Sequence, residues 1–314
     1  MERSGGLRLR LIRPTPYCGQ VGYPRLTRFF GDGGPTATGG IVAAAPDGRA
    51  PHPTPEAKRY RMDIDELAPR IAAGKPIASL NVRDESWPEV DCDGAAFTDC
   101  VFEAVQFSYP SFVDARFSNC RFVACRLSHA ALKDAVFETC RFTGDGGKGC
   151  TFAFSDLQRV RFSGCDLALA TFESTEMFAV EMHECNLTGA RFNKVDFSRA
   201  LSRKQIETRA SFHHCKMDFA DLAETKLPRC SLSGSRLREA DLSSADLTDA
   251  DLTDCDLFQA NLFGATLTGA DLTGAEVSGL NLLTLADFKG VRITDEQVFR
   301  LLDAMGVEVR TRQR

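Results

Sequence analysis

The chain has no apolar run that approaches the roughly 20 residues of a membrane-spanning helix, and no C-x-x-C pair among its 12 cysteines. The first absence argues against a helical membrane protein. The second argues against a zinc site of the usual ligand spacing. No N-terminal stretch combines a basic start, an apolar middle and a small-residue cleavage site, so a soluble, cytoplasmic protein is expected. The net charge is only -5, which argues neither for nor against nucleic acid. There is no nucleotide-binding fingerprint, no placeable catalytic triad and no carboxylate pair assigned to a cleft. The run GDGGKG at 144–149 is not a phosphate-binding loop, because no Ser or Thr follows Lys148 and no helix is expected after it. Histidine is scarce, with His52, His129, His183, His213 and His214 only. His213 and His214 next to Cys215 allow a metal or nucleophile reading, but Cys215 falls in a register expected to be buried, where a thiol is inert. No enzymatic activity, cofactor or metal is expected.

What is present divides the chain unevenly. Residues 1–61 hold eight of the 13 prolines, a glycine cluster between Gly31 and Gly40, and ten Lys/Arg against four Asp/Glu. Such a composition buries too little apolar surface to fold. The segment reads as a disordered basic tail, either a tether or a stretch with no specific role. Residues 62–76 read as a short N-terminal helix or cap. Ile64, Leu67 and Ile71 share one face, Gly74 and Pro76 stop the helix, and Pro69 sits awkwardly inside it.

From residue 77 one rule takes over. Of the forty-two positions at five-residue intervals from Ile77 to Leu282, thirty-nine are Phe, Leu, Met, Ile, Val, Trp or Cys; Gly147, Ser202 and Glu207 are the exceptions. Neither a helix of period 3.6 nor an ordinary strand of period 2 gives this beat. A second register, two residues earlier, is small or apolar almost throughout, and ten of the 12 cysteines fall in it: Cys100, Cys120, Cys125, Cys140, Cys150, Cys165, Cys185, Cys215, Cys230 and Cys255. Free cysteine behaves as a small buried hydrophobe, so these thiols read as packing rather than as ligands or disulfides. Phe dominates the main register from Phe97 to Phe197, and Leu fills it from Leu222 to Leu272. The larger rings require either different turns or a wider coil.

The repeat is clearest at 239–273 (EADLSSADLTDADLTDCDLFQANLFGATLTGADLT). This A-(D/N)-L-x-x pattern resembles the pentapeptide-repeat family. The resemblance implies an all-β fold, a right-handed quadrilateral parallel β-helix over 77–290, in which each pentapeptide makes one side and four make a coil. About ten coils, stacked at roughly 4.8 Å, would give a rod of about 50 Å. A capping helix and strand are expected over 291–314. Thr294 and Gln297 read as a capping box, with Ile293 and Val298 as a staple. Val298, Leu301, Leu302 and Met305 form one helical stripe, and Phe299 lies off it. This element is expected to cover the open end of the solenoid or to form a dimer contact.

The breaks in the rule are the candidate sites, because loops on a rigid scaffold commonly carry binding. The first is 143–149, with Asp145 and Lys148. The second is 199–211, with Arg199, Arg203, Lys204, Gln205, Glu207 and Arg209. Either could equally be a tolerated insertion. Outward carboxylates at Asp241, Asp246, Asp251, Asp256 and Asp271 read as an acidic surface that attracts a basic groove, or as turn-forming side chains. The order and spacing of the two breaks, and the ending FKGVRITDEQVFRLLDAMGVEV, resemble the Qnr quinolone-resistance proteins. That resemblance implies a homodimeric, non-enzymatic DNA mimic. It would bind DNA gyrase or topoisomerase IV through the two loops, with no direct contact to nucleic acid or membrane. A general protein-protein interaction scaffold or effector accessory protein is the alternative.

Overall fold

The computed structural model describes residues 67–87, 91–144 and 146–308. The basic segment 1–61 and residues 62–66 of the expected cap lie outside them. A short helix, α1 (Leu67–Ala72), buries Leu67 and packs Ile71 against the core. Pro69 is its third residue, so its missing N–H is one of the donors that a first turn leaves unpaired anyway. Gly74, at φ 62°, ends the helix and donates to the Ile71 carbonyl at 2.8 Å.

The rest is a parallel β-solenoid. The first side of the coil climbs through the paired positions Ile77, Phe97, Phe117, Phe137, Phe162, Met182 and Phe212. It continues as single bridges through Ser211, Ser231, Asp251, Asp271 and Arg292. The second side carries Val82, Phe102 and Phe122. The third and fourth sides are linked by bridges such as Arg126↔Thr151 and Ala131↔Asp156. From Cys92 to Leu280 both inward registers are buried, the two insertions apart.

Phenylalanine is accommodated by a change of turn, but only on two sides. On the first side Phe97, Phe117, Phe137 and Phe162 centre three-residue strands, as do Phe102 and Phe122 on the second. Phe112, on the fourth side, sits in a tight turn that Ala115 N–H closes onto its carbonyl at 3.1 Å. The all-Leu region uses tight turns throughout, as in Ala240 N–H to Leu237 O at 3.2 Å. On the first three sides the rings stack parallel at the strand spacing. Phe97–Phe117 and Phe117–Phe137 are each 4.8 Å apart, and Phe152–Phe172 is 5.1 Å. Adjacent sides meet edge to face, as Phe97 meets Phe102. Both geometries suit the ring quadrupole.

The cysteines also have a specific job. Six of them occupy one corner on successive coils, and each Sγ donates to the carbonyl of the core residue in the coil below. Examples are Cys120 to Phe97 (3.5 Å), Cys140 to Phe117 (3.3 Å) and Cys165 to Phe137 (3.4 Å). Ser235 takes the same slot with a 2.7 Å bond to Phe212 O, and Cys255 continues it with 3.1 Å to Leu232 O. From Ile77 to Phe212 a donor in the small slot therefore satisfies a corner carbonyl that alanine would leave, whereas Leu232 O also accepts Ser235 N–H. Burial pushes the Cys92 and Cys255 thiols up to about 12 and Cys230 up to about 11. None of the eleven described cysteines is in a disulfide, and all are buried.

The C-terminal helix, α2 (Asp295–Ala304), closes the upper end. Thr294 N–H donates to Gln297 Oε1 at 2.6 Å, as the capping box requires. Gln297 is itself buried, and its Nε2 donates at 2.7 Å to both Leu272 O and Ala275 O of the last coil. The expected stripe is only partly used: Leu301 is buried, Leu302 and Met305 are half-buried, and Val298 and Phe299 are exposed. Val307 and Glu308 belong to no strand, and Val309 lies outside the described residues.

Candidate functional site

The two breaks keep the five-residue phase because the rod lengthens by whole pentapeptides. Side-by-side pairing steps 20 residues at Phe117↔Phe137, 25 at Phe137↔Phe162 and 30 at Met182↔Phe212. The first insertion leaves between the second and third sides. The second leaves between the fourth and first sides, at the diagonally opposite corner.

Four glycines with Asp145 and Lys148 cannot pack into the inward registers, so the sequence of the first loop predicts an outward bulge. The loop is instead laid flat against the rod. Thr143 and Gly149 bridge each other antiparallel, and the Thr143 hydroxyl donates to Asp166 Oδ2 at 2.7 Å. Gly144 lies so close to Val123, and Gly149 so close to the Leu169 carbonyl, that an added Cβ would stand 2.6 Å and 2.1 Å from them. Glycine is needed here for close approach rather than for flexibility. Lys148 is exposed; Asp145 lies outside the described residues.

The second loop is a β-hairpin. Strand Ser198–Ser202 pairs antiparallel with Gln205–Thr208 around a turn at Arg203–Lys204, and the register shifts between Ala200 and Ser202. Arg209 N–H donates to Phe197 O at 3.1 Å and closes its base. The rod resumes at Ala210, which is buried and paired with Val180, so Ala210 and Ser211 belong to the coil.

Within the hairpin the expected contact residues divide by role. Arg199 spans 3.5 Å to Glu207 on the facing strand and lays its guanidinium 4.4 Å above the Phe178 ring. These two residues fix the hairpin to the fourth side of the rod through charge and cation–π attraction. Arg203, Lys204 and Gln205 are exposed at the tip. Leu201 is 47% exposed and Ile206 66% exposed. Nothing in the sequence singles out these two apolar residues, because they lie off the five-residue register and look like loop filler.

The carboxylates do not form one strip. Asp251 and Asp271 lie on the first side, Asp256 on the second, Asp241 on the third and Asp246 on the fourth. Each accepts the backbone N–H two residues on, for example Ser243 N to Asp241 at 2.9 Å and Thr273 N to Asp271 at 3.0 Å. Asp256 pairs with Arg238, and Asp271 with Arg292. Turn formation is therefore their common role, and what charge they present forms a belt around the C-terminal half.

Among the described residues no three His, Cys, Asp or Glu side chains converge as metal ligands. His213 Nδ1 instead lies 2.8 Å from Ser233 Oγ, and Cys215 Sγ points inward to Met182 O at 3.5 Å. No helix among them is long and apolar enough to cross a membrane.

The description "Pentapeptide repeat region" matches residues 95–172 and 206–282, the second range beginning within the hairpin's returning strand. No curated protein matches in sequence. Two solved structures of trypsin-treated QnrB1 variants, each described as "a plasmid-mediated fluoroquinolone resistance protein", match in fold. The first matches at 22% identity and TM-score 0.61, over 75% of this chain and all of that one. The second matches at 22% identity and TM-score 0.57, over 75% of this chain and 98% of that one.

Proposed function

We propose that this pentapeptide-repeat protein is a protein-binding rod that engages a type II topoisomerase, DNA gyrase or topoisomerase IV, and protects it from quinolone-like inhibitors. The observation that carries the reading is the hairpin 198–209. It is clamped to the rod by Arg199, Glu207 and Phe178, so it presents Leu201, Arg203, Lys204 and Ile206 with little ordering entropy left to lose on binding. Arg and exposed aliphatic groups on a rigid projection suit a partner pocket. The first loop, with Lys148, displays a second contact from the opposite corner. Acidic residues around the C-terminal half act as the DNA-like element toward a basic groove. At the capped end, Ile293, Val298, Phe299 and Val307 are exposed together with Phe288, which suits end-to-end pairing of two copies into a homodimer.

The test is a gyrase supercoiling assay with a quinolone. The parent protein is expected to restore supercoiling in a dose-dependent way. The double substitution R203E/K204E, which leaves the clamp intact, is expected to abolish protection. Absence of rescue by the parent at any concentration would refute the reading. The distribution of carboxylates over all four sides favours a second reading, a general interaction scaffold. In that case affinity capture returns another partner, and loss of the hairpin tip has no effect on gyrase.

A further inference from the structure

The third side of the rod carries a feature that hairpin and acidic belt leave unused. Its outward column runs Arg126, Thr151, Thr171, Arg191, bridged in that order coil upon coil. The docked first loop sets Gly147, Lys148 and Gly149 against the same surface. Together these residues line a groove with Ala124, Cys125, Leu169 and Gly189, and no carboxylate is among the lining residues. Arg126, Lys148 and Arg191 are exposed. Among the described residues none of the three makes an ion pair, whereas Arg83, Arg141, Arg159, Arg236 and Arg238 all do. Three free cations with two hydroxyls between them, on an acidic chain, form a site for an extended anion.

The far edge of this side is unusual in a different way. Tyr109, His129 and Phe154 occupy successive coils at one corner, each with positive φ (50°, 57° and 58°). Bulky side chains are disfavoured in that conformation, and Tyr109 is nonetheless 76% exposed and Phe154 54% exposed. Their rings form a parallel ladder, 4.9 Å from Tyr109 to His129 and 5.2 Å from His129 to Phe154. Small residues flank the ladder, with Ser128 and Ala153 on the groove side and Ala131 beyond. Positive φ is the common turn conformation of the repeat corners, shared by Leu169, Phe219 and Arg229; what sets this corner apart is three exposed rings in register. Ser174 and then Lys194 continue the same corner; Glu173 lies on this stretch of the side, and Asp221 is bridged to Arg191 one coil above it.

We propose that the third side binds single-stranded nucleic acid, with backbone phosphates along Arg126, Lys148 and Arg191 and bases against the Tyr109–His129–Phe154 ladder. A track of cations beside exposed aromatic rings is the combination that recognises single strands without sequence preference. Threonine hydroxyls add phosphate donors. From Arg126 to Arg191 the column rises three coils, about 14 Å at the strand spacing, enough for about three phosphates of an extended strand. An acidic peptide would use the cations and leave the ladder idle. This proposal revises the expectation of no direct contact with nucleic acid, and it does not depend on the topoisomerase reading.

The test is fluorescence anisotropy of a labelled 20-residue oligothymidine with the full-length chain, titrated at several salt concentrations. The double reversal R126E/R191E leaves the basic N-terminal segment unchanged, so it isolates the groove. It is expected to weaken binding at least tenfold and to flatten the salt dependence. Three phosphate contacts correspond to a slope of about -2 in log K against log salt. The pair Y109A/F154A is expected to weaken binding severalfold with the slope unchanged. Circular dichroism of each variant checks the fold, and R203E/K204E should bind the strand like the parent. Equal binding by R126E/R191E and the parent would overturn the proposal. So would competition by poly-glutamate as effective as by oligothymidine, or an unchanged affinity in Y109A/F154A.

Discussion

The side chain of Gln297 is the keystone of the upper end, and replacing it with Met tests that. Methionine keeps the length and loses the amide. Gln297 Nε2 reaches Leu272 O and Ala275 O at 2.7 Å each, and Oε1 receives Thr294 N–H at 2.6 Å. Leu272 O retains the Ala275 N–H, so it is not orphaned. Ala275 O loses its side-chain donor while buried under α2. A stranded buried carbonyl costs about 1–3 kcal/mol, and each lost bond contributes about 0.5–1.5 kcal/mol net. The expected loss is therefore about 3 kcal/mol. For a domain of this size that corresponds to about 6–12 °C in melting temperature. In a solenoid each coil contacts only its neighbours, so the effect should begin at the upper end. Hydrogen exchange should accelerate first at Asp271 and Glu276, whose amides pair with Ala250 O and Cys255 O. A melting temperature within about 2 °C of the parent, with unchanged exchange at these amides, would refute the keystone role.

Gly149→Ala should displace the first loop, because the new methyl would meet the Leu169 carbonyl at 2.1 Å; overpacking of this kind costs about 1–3 kcal/mol, readable as a lower denaturation midpoint. Acid should loosen the same end that Gln297 closes. Asp271 is held below the usual carboxylate range by the Thr273 hydroxyl and N–H and by Arg292, and Glu276 by Ser278 and Arg300. Carboxyls depressed in the folded state give stability that is fully present above their unfolded values near 4 and is lost as pH falls through the folded values. Exchange or proteolysis at the C-terminal coil should therefore rise below about pH 4.

The hydrophobic beat made a repeat architecture legible, and the resemblance of its A-(D/N)-L-x-x unit to the pentapeptide-repeat family implied the four-sided coil with a corner every five residues. Ten of the cysteines could be placed inside for the same reason. The cap was legible through Thr294 and Gln297, which are local signals. The candidate site was legible as two places where the beat fails, at Gly147 and at Ser202 with Glu207. Its shape was not. Whether an insertion lies flat or stands up depends on Gly149 meeting Leu169 and Arg199 meeting Phe178, partners 20 or so residues away that the local sequence does not advertise.

Sequence order alone thus determined which side chains face inward, since that depends on a residue's phase within its own repeat. Only the stacked coils decided which outward side chains become neighbours. Arg126, Thr151, Thr171 and Arg191 line up, and Asp241, Asp246, Asp251 and Asp256 disperse, because surface adjacency is set by the length of each coil. The two insertions change that length from 20 residues to 25 and 30.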